Sequence, residues 1–126
     1  MAKLIFNYPF MMREYQLTKD KLTVGRLKEH DIIIPDYQAF RSLQVEMQRQ
    51  LLKILTKVSR THARLEKING VYHVVDTGTR GAGSSYGTYV NELRLETGKP
   101  YPLRSGDKIR FGPVECIFSE GGKDES

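Results

Sequence analysis

At 126 residues the chain has the size of one compact domain, and its 39% apolar and 28% charged residues exclude a disordered or membrane-embedded composition. Twenty Lys and Arg against fifteen Asp and Glu leave a net charge of +5, an excess that suits anionic partners and is also ordinary for a folded domain. A single cysteine, Cys116, excludes an internal disulfide and points to a buried core thiol in a reducing, cytoplasmic setting.

The first twelve residues are apolar but broken by Asn7 and Pro9, and they lack a small-residue cleavage site, which argues against a signal peptide. No apolar run approaches the ~18 residues of a membrane span, so no membrane role is expected. Short apolar or alternating runs at 3–7, 15–17, 22–24 and 32–34 are separated by turn residues and predict strands. Residues 37–57 contain neither Gly nor Pro, and Phe40, Leu43, Met47, Leu51, Ile54, Leu55 and Val58 recur at steps of three and four. That pattern predicts one amphipathic helix over 38–57, roughly 30 Å long, inserted between strands. Asn69-Gly70 then links two further strands; both residues tolerate positive φ, which predicts a tight hairpin. Turn residues at 98–102, 105–107 and 112–113 set off strands at 108–111 and 115–118. Many short strands at this spacing predict an all-β, antiparallel sandwich over 1–119, with a helical insertion at 37–57 and a frayed, flexible tail at 120–126.

Three pieces of the chain carry chemistry: Gly25-Arg26, Ser59-Arg60-Thr61-His62, and Gly87-Thr88-Tyr89-Val90-Asn91. A phosphorylated side chain brings a charge of about −1.5 to −2 and three strong acceptor oxygens, so its pocket needs fixed donors, at least one of them cationic. Arg26 offers a planar, permanently charged guanidinium, and Ser59 a hydroxyl on a short stem. Thr88 and the Gly-rich stretch before it add hydroxyl and backbone N–H donors. Competing chemistries fit poorly. Ser59, His62 and Asp76 lack a nucleophile elbow, so no catalytic residue is assigned. His30 and His73 have no metal-ligand spacing, and no Gly-Lys-Ser/Thr follows the glycines at 78–83, so neither metal nor cofactor is expected. Basic residues do not interleave with aromatics on one strand face, which argues against a nucleic-acid surface.

Taken in order with His30-Asp31-Ile32, Asp76 and the run from Leu103 through Gly106-Asp107 to Phe111-Gly112, these motifs resemble the forkhead-associated (FHA) domain, a family of phosphothreonine-peptide readers. The resemblance implies a sandwich of about eleven strands whose loops at one end form the pocket. It implies a non-catalytic module of kinase signalling whose partner is a phosphothreonine-containing protein, the substrate of a Ser/Thr kinase. Arg26 and Ser59 would contact the phosphate and adjoining peptide, with Arg60 as a second cation. His62 and Asn91 would brace the loops, with Gly25, Gly87 and Thr88 supporting the site.

The chain departs from the family pattern after Asp76, where the loop is several residues longer. Ser85 takes the position that reaches the phosphate, and Tyr86 replaces the Asn that grips the peptide main chain. A phenol can donate one hydrogen bond but lacks the amide's paired donor and acceptor. Arg80, on the extended loop, would add charge. The inserted helix stands where the family has a short connection. Its stripe would pack on the sandwich, or dock on a partner or a second copy. Val45 and Leu52 lie off the stripe and favour a second contact, so the alternative function is an assembly module with a weakened pocket, a homodimer through helix 38–57.

Overall fold

Alternation decides which face of each strand is buried. The computed structural model describes residues 1–121. Its strands are β1 (Lys3–Phe6), β2 (Glu14–Gln16), β3 (Lys21–Gly25), β4 (Ile32–Ile33), β5 (Ala63–Ile68), β6 (Val71–Asp76), β7 (Thr88–Val90), β8 (Leu93–Arg94), β9 (Tyr101–Pro102), β10 (Lys108–Phe111) and β11 (Val114–Ser119). In β11, Val114, Cys116 and Phe118 are buried while Glu115 and Ile117 face out, and in β1 Leu4 and Phe6 point inward. The strands form a six-stranded sheet ordered β2-β1-β11-β10-β7-β8 and a five-stranded sheet ordered β4-β3-β5-β6-β9. All pairings are antiparallel except β3 with β4. The fold is thus the expected β-sandwich. The core lies between the sheets, with Phe6, Ile109, Phe111 and Phe118 from one and Val24, Leu65 and Val74 from the other. Cys116 is buried in it, and burial pushes its thiol far above the ordinary range, so it stays protonated.

The hairpin between β5 and β6 turns at Asn69 (φ 50°) and Gly70 (φ 80°), with Ile68 paired to Val71. Left-handed backbone at both turn residues matches the right-handed strand twist.

The single inserted helix is corrected to two: α1 (Tyr37–Arg41) and α2 (Val45–Leu55). Asp36 caps α1, its carboxylate accepting from the amides of Gln38 (3.0 Å) and Ala39 (3.3 Å). The chain then leaves the helix. Gln44 is extended (φ −61°, ψ 146°), and the Gln48 side chain donates to the carbonyls of Leu43 (2.7 Å) and Arg41 (3.2 Å). These carbonyls therefore find a partner without a continuous helix. Phe40, Leu55 and Val58 are buried and Leu43 and Leu51 pack against the core, whereas Met47 and Ile54 stay exposed beside Val45 and Leu52. At eleven residues, α2 is about 16 Å long. Among the described residues, no helix is long and apolar enough to cross a membrane.

Of the tail expected to fray, residues 122–126 lie outside the described residues; the Glu120 amide donates to Ser105 Oγ at 3.1 Å.

Candidate functional site

Three loops meet where β3 ends, β5 begins and β6 leads into β7. The β3 end is tied to the segment before β5 by backbone bonds from Arg26 N–H to the Ser59 carbonyl and from Leu27 N–H to the Arg60 carbonyl, each 3.3 Å. Gly25 is required at this crossing. A Cβ there would lie 2.3 Å from the Arg60 carbonyl oxygen and 2.7 Å from the His30 ring. His30 Nε2 in turn donates to the Arg60 carbonyl at 2.8 Å, with Thr61 Oγ1 3.1 Å away.

Arg26 is half-buried and held from two sides, by the first residue of the insertion and by the residue that follows it. Its Nε donates to the Val58 carbonyl, and the Tyr37 hydroxyl donates to the Arg26 carbonyl at 2.8 Å. A small cavity of about 60 Å³ beside it is lined by Tyr37, Phe40, Leu52 and Leu55. With Nε engaged, neither terminal guanidinium nitrogen donates to a described residue. The fork is oriented by its stem and its ends are left for a ligand.

His62 is completely buried and joins two loops. The Ser59 amide donates to Nδ1 at 3.0 Å, and Nε2 lies 2.9 Å from the Gly87 carbonyl. An amide can only donate and a carbonyl can only accept, so the ring is neutral, with its proton on Nε2. Burial lowers the His62 pKa and outweighs the opposing influence of the Gly87 carbonyl and Asp76.

Asp76, at the end of β6, organises the long loop. One carboxylate oxygen accepts from the hydroxyls of Ser84 and Thr88, the latter at 2.7 Å. The other accepts from the Ser84 amide (3.2 Å) and the Thr97 hydroxyl (3.0 Å). Burial pushes Asp76 up, but these donors outweigh it and hold the carboxyl below its ordinary value. The loop is thereby folded back toward β5, and the Ser85 amide donates to Ser59 Oγ at 3.1 Å.

The structure brings Arg26, Ser59, Arg60, Ser85 and Tyr86 to this junction, with Gly25, His62, Gly87 and Thr88 beneath them. Asn91 sits apart, at the far end of β7. In left-handed backbone (φ 49°), its side chain donates to Asp107 and accepts from the Lys108 amide, both at 3.0 Å. Arg80 is exposed on the loop, next to Thr79, whose hydroxyl accepts from the Thr61 amide at 3.4 Å.

Two cations escaped the sequence argument. Lys57 follows α2, and its ammonium lies 5.7 Å from the centroid of the half-exposed Tyr86 ring. Arg94, opposite Tyr89 in register, lies against Gly87: a Cβ on that glycine would be 2.9 Å from Arg94 Nε. The position of Lys57 two residues before Ser59 was the available signal; nothing local marks Arg94. Among the described residues, Arg26, Lys57, Arg60 and Arg94 have no carboxylate partner. Unpaired positive charge, a hydroxyl and backbone donors around one loop junction suit a dianionic ligand. No cluster of described residues could hold a metal ion.

The FHA domain family model matches residues 22–112. This chain belongs to the FHA family. That span contains every site residue from Gly25 to Asn91, together with the insertion. FHA domains are non-enzymatic interaction modules that bind phosphothreonine peptides. A relative, the oxoglutarate dehydrogenase inhibitor of Corynebacterium diphtheriae, is 31% identical over 107 residues, covering 85% of this chain and 56% of its own length. The chain thus spans little more than half of that relative. Among solved structures, one from a structural and functional study of phosphothreonine-dependent FHA domain interactions superposes with a TM-score of 0.66 at 24% identity, covering 96% of this chain and 97% of the other. EmbR of Mycobacterium tuberculosis, in complex with a low-affinity phosphopeptide, superposes with a TM-score of 0.63 at 26% identity, over 94% of this chain and 24% of that one.

Proposed function

We propose that this FHA domain binds protein segments carrying phosphothreonine, the products of a Ser/Thr kinase, and that it does so in the cytoplasm without catalysing a reaction. The observation that carries this reading is the convergence of Arg26, Ser59 and Ser85 on one junction, with the free ends of the Arg26 fork facing no protein partner. Ser59 Oγ already accepts from the Ser85 amide, so its own O–H remains to donate to a phosphate oxygen. Arg60 adds a second cation. Tyr86 offers the peptide main chain a single phenolic donor in place of an amide.

Hydrogen bonds to a charged group contribute about 1.5–3 kcal/mol each, so Arg26→Ala should weaken phosphopeptide binding roughly tenfold to over a hundredfold. The test is fluorescence anisotropy against a degenerate phosphothreonine library, with unphosphorylated and phosphoserine libraries alongside. Phosphothreonine-selective binding that is lost in Arg26→Ala supports the reading. Equal binding to all three libraries, or none, rejects it.

A second reading rests on α2, whose Val45, Met47, Leu52 and Ile54 are all exposed. An assembly module would use this face in a homodimer. Its test is the mass in solution: a dimer dissociated by Leu52→Glu supports it, and a monomer at all concentrations rejects it.

A further inference from the structure

Near Arg26 lies a second cavity, of about 460 Å³, which the insertion helps to line through Tyr37, Gln38 and Arg41. Its floor is Tyr15, Ile33 and Tyr37, and its rim carries Lys28 and Arg41. Both cations approach the same ring: Lys28 Nζ lies 5.9 Å and Arg41 Cζ 5.8 Å from the Tyr37 centroid. These distances are at the limit of a cation–π contact, which attracts each cation but does not neutralise it. Two carboxylates also line the cavity, and both are engaged elsewhere. Asp31 pairs with Lys19 and accepts from the Thr23 amide, while Asp36 caps α1. Among the described residues, Lys28 and Arg41 therefore have no ion-pair partner. The Tyr15 hydroxyl accepts from the Met12 amide at 3.3 Å and keeps its proton to donate.

We infer that this cavity is a second anion subsite, taking a carboxylate or a second phosphoryl group borne by the same segment that places its phosphothreonine at Arg26. The inference rests on the phosphopeptide reading above. Tyr37 forms one wall of the cavity and donates to the Arg26 carbonyl, so the two sites are neighbours across one side chain. Lys28 is two residues from Arg26, at most about 7 Å along the chain. An extended ligand advances about 3.3 Å per residue, so an anionic side chain two to four residues (roughly 7–13 Å) from the phosphothreonine can reach the rim. The apolar floor would hold the stem of that side chain, and the two cations its charge. Tyr37 and Arg41 belong to α1, so the subsite is a property of the insertion.

The test uses one phosphothreonine peptide that binds the domain, remade with Asp, phosphoserine or Ala at each flanking position in turn. Binding is measured by anisotropy at low and high salt, for the parent and for the Lys28→Ser/Arg41→Ser double variant. The expected result is a gain of about threefold to tenfold for Asp at one or two neighbouring positions, as for partly exposed charge pairs. A larger gain for phosphoserine there would identify a second phosphoryl group as the preferred occupant; an equal or smaller one would identify the carboxylate. The gain should vanish in the double variant while the Ala peptide binds as before, and Lys28→Arg should retain it. Phosphate-dependent binding with no acidic gain at any position, or a gain that survives the double variant, overturns the subsite alone. Loss of all phosphate dependence overturns the phosphopeptide reading and the subsite with it.

Discussion

The Ser59 amide donates to Nδ1 of His62 at 3.0 Å, which anchors the candidate phosphate donor to a ring that is completely buried. Because Nε2 of the same ring donates to the Gly87 carbonyl, one neutral imidazole fixes both sides of the pocket. Protonation would place a second N–H against the Ser59 amide.

Stability should therefore fall as His62 is forced to titrate. Its folded pKa is lowered by burial, so below the unfolded value of about 6.5 the unfolded chain binds a proton that the folded chain does not. The contribution is complete above that pH and is lost on acidification, down through the folded pKa, with a slope of at most about 1.4 kcal/mol per pH unit. Thermal melts between pH 5 and 8 should show this slope in the parent and a shallower one in His62→Gln. His62→Ala should cost about 3 kcal/mol, since it opens a cavity and strands the Ser59 amide.

Asp76 gives a second, lower acid limb and a graded mutational series. Its lowered pKa means its contribution is present above the unfolded value of about 3.9 and lost as the pH falls through the folded one. In Asp76→Asn the amide can turn its NH₂ toward the Ser84 and Thr88 hydroxyls, which can reverse and accept, and keep its oxygen for the Ser84 amide and Thr97. That variant should lose about 1–2 kcal/mol, and Asp76→Ala, which strands the buried donors, about 3–5 kcal/mol. Urea unfolding of the two would rank them.

What the sequence disclosed followed from how local each signal is. Asn69-Gly70 specifies its turn by itself, and the strands on either side came out at Ala63–Ile68 and Val71–Asp76. The break between α1 and α2 was hidden because Phe40, Leu43 and Met47 keep the helical spacing straight across it. The deciding contact is the Gln48 side chain taking the carbonyls of Arg41 and Leu43, which periodicity cannot register. At the site, Gly25-Arg26 and Ser59 stood out as motifs. The role of Asp76 did not, because its donors Ser84, Thr88 and Thr97 come from three separate places in the chain. Tyr37 and Lys57 read as the two ends of the helical insertion, and only the fold brings them to Arg26 and Tyr86.

Gly25→Ala should damage stability and binding together. The added methyl meets the Arg60 carbonyl oxygen at 2.3 Å and the His30 ring at 2.7 Å, so either β3 or the 59–61 segment must move. Such overpacking costs about 1–3 kcal/mol. Displacement of Ser59 and Arg60 should also weaken phosphothreonine-peptide binding at least about tenfold, measured by anisotropy at a temperature where the variant remains folded. Unchanged affinity would show that the crossing does not set the pocket.

Tyr86 tests whether the departure from the family pattern weakens the grip on the peptide. Its ring is half-exposed, with the Lys57 ammonium 5.7 Å from its centroid, so replacing it should cost no more than about 0.5–1 kcal/mol of stability. Asn at this position would offer the peptide main chain a donor and an acceptor together, and one added hydrogen bond contributes about 0.5–1.5 kcal/mol. Tyr86→Asn should therefore tighten phosphothreonine-peptide binding by about twofold to tenfold. Tyr86→Phe, which removes the phenolic donor and keeps the ring over Lys57, should weaken it by a similar factor. The Phe variant separates the two ways Tyr86 can act. If Phe binds as the parent does while Asn binds more tightly, the phenol contributes no hydrogen bond and the parent's weakness is the missing amide. If neither change alters affinity, the peptide does not pass over Tyr86, and its main chain must be held from the Arg26 side.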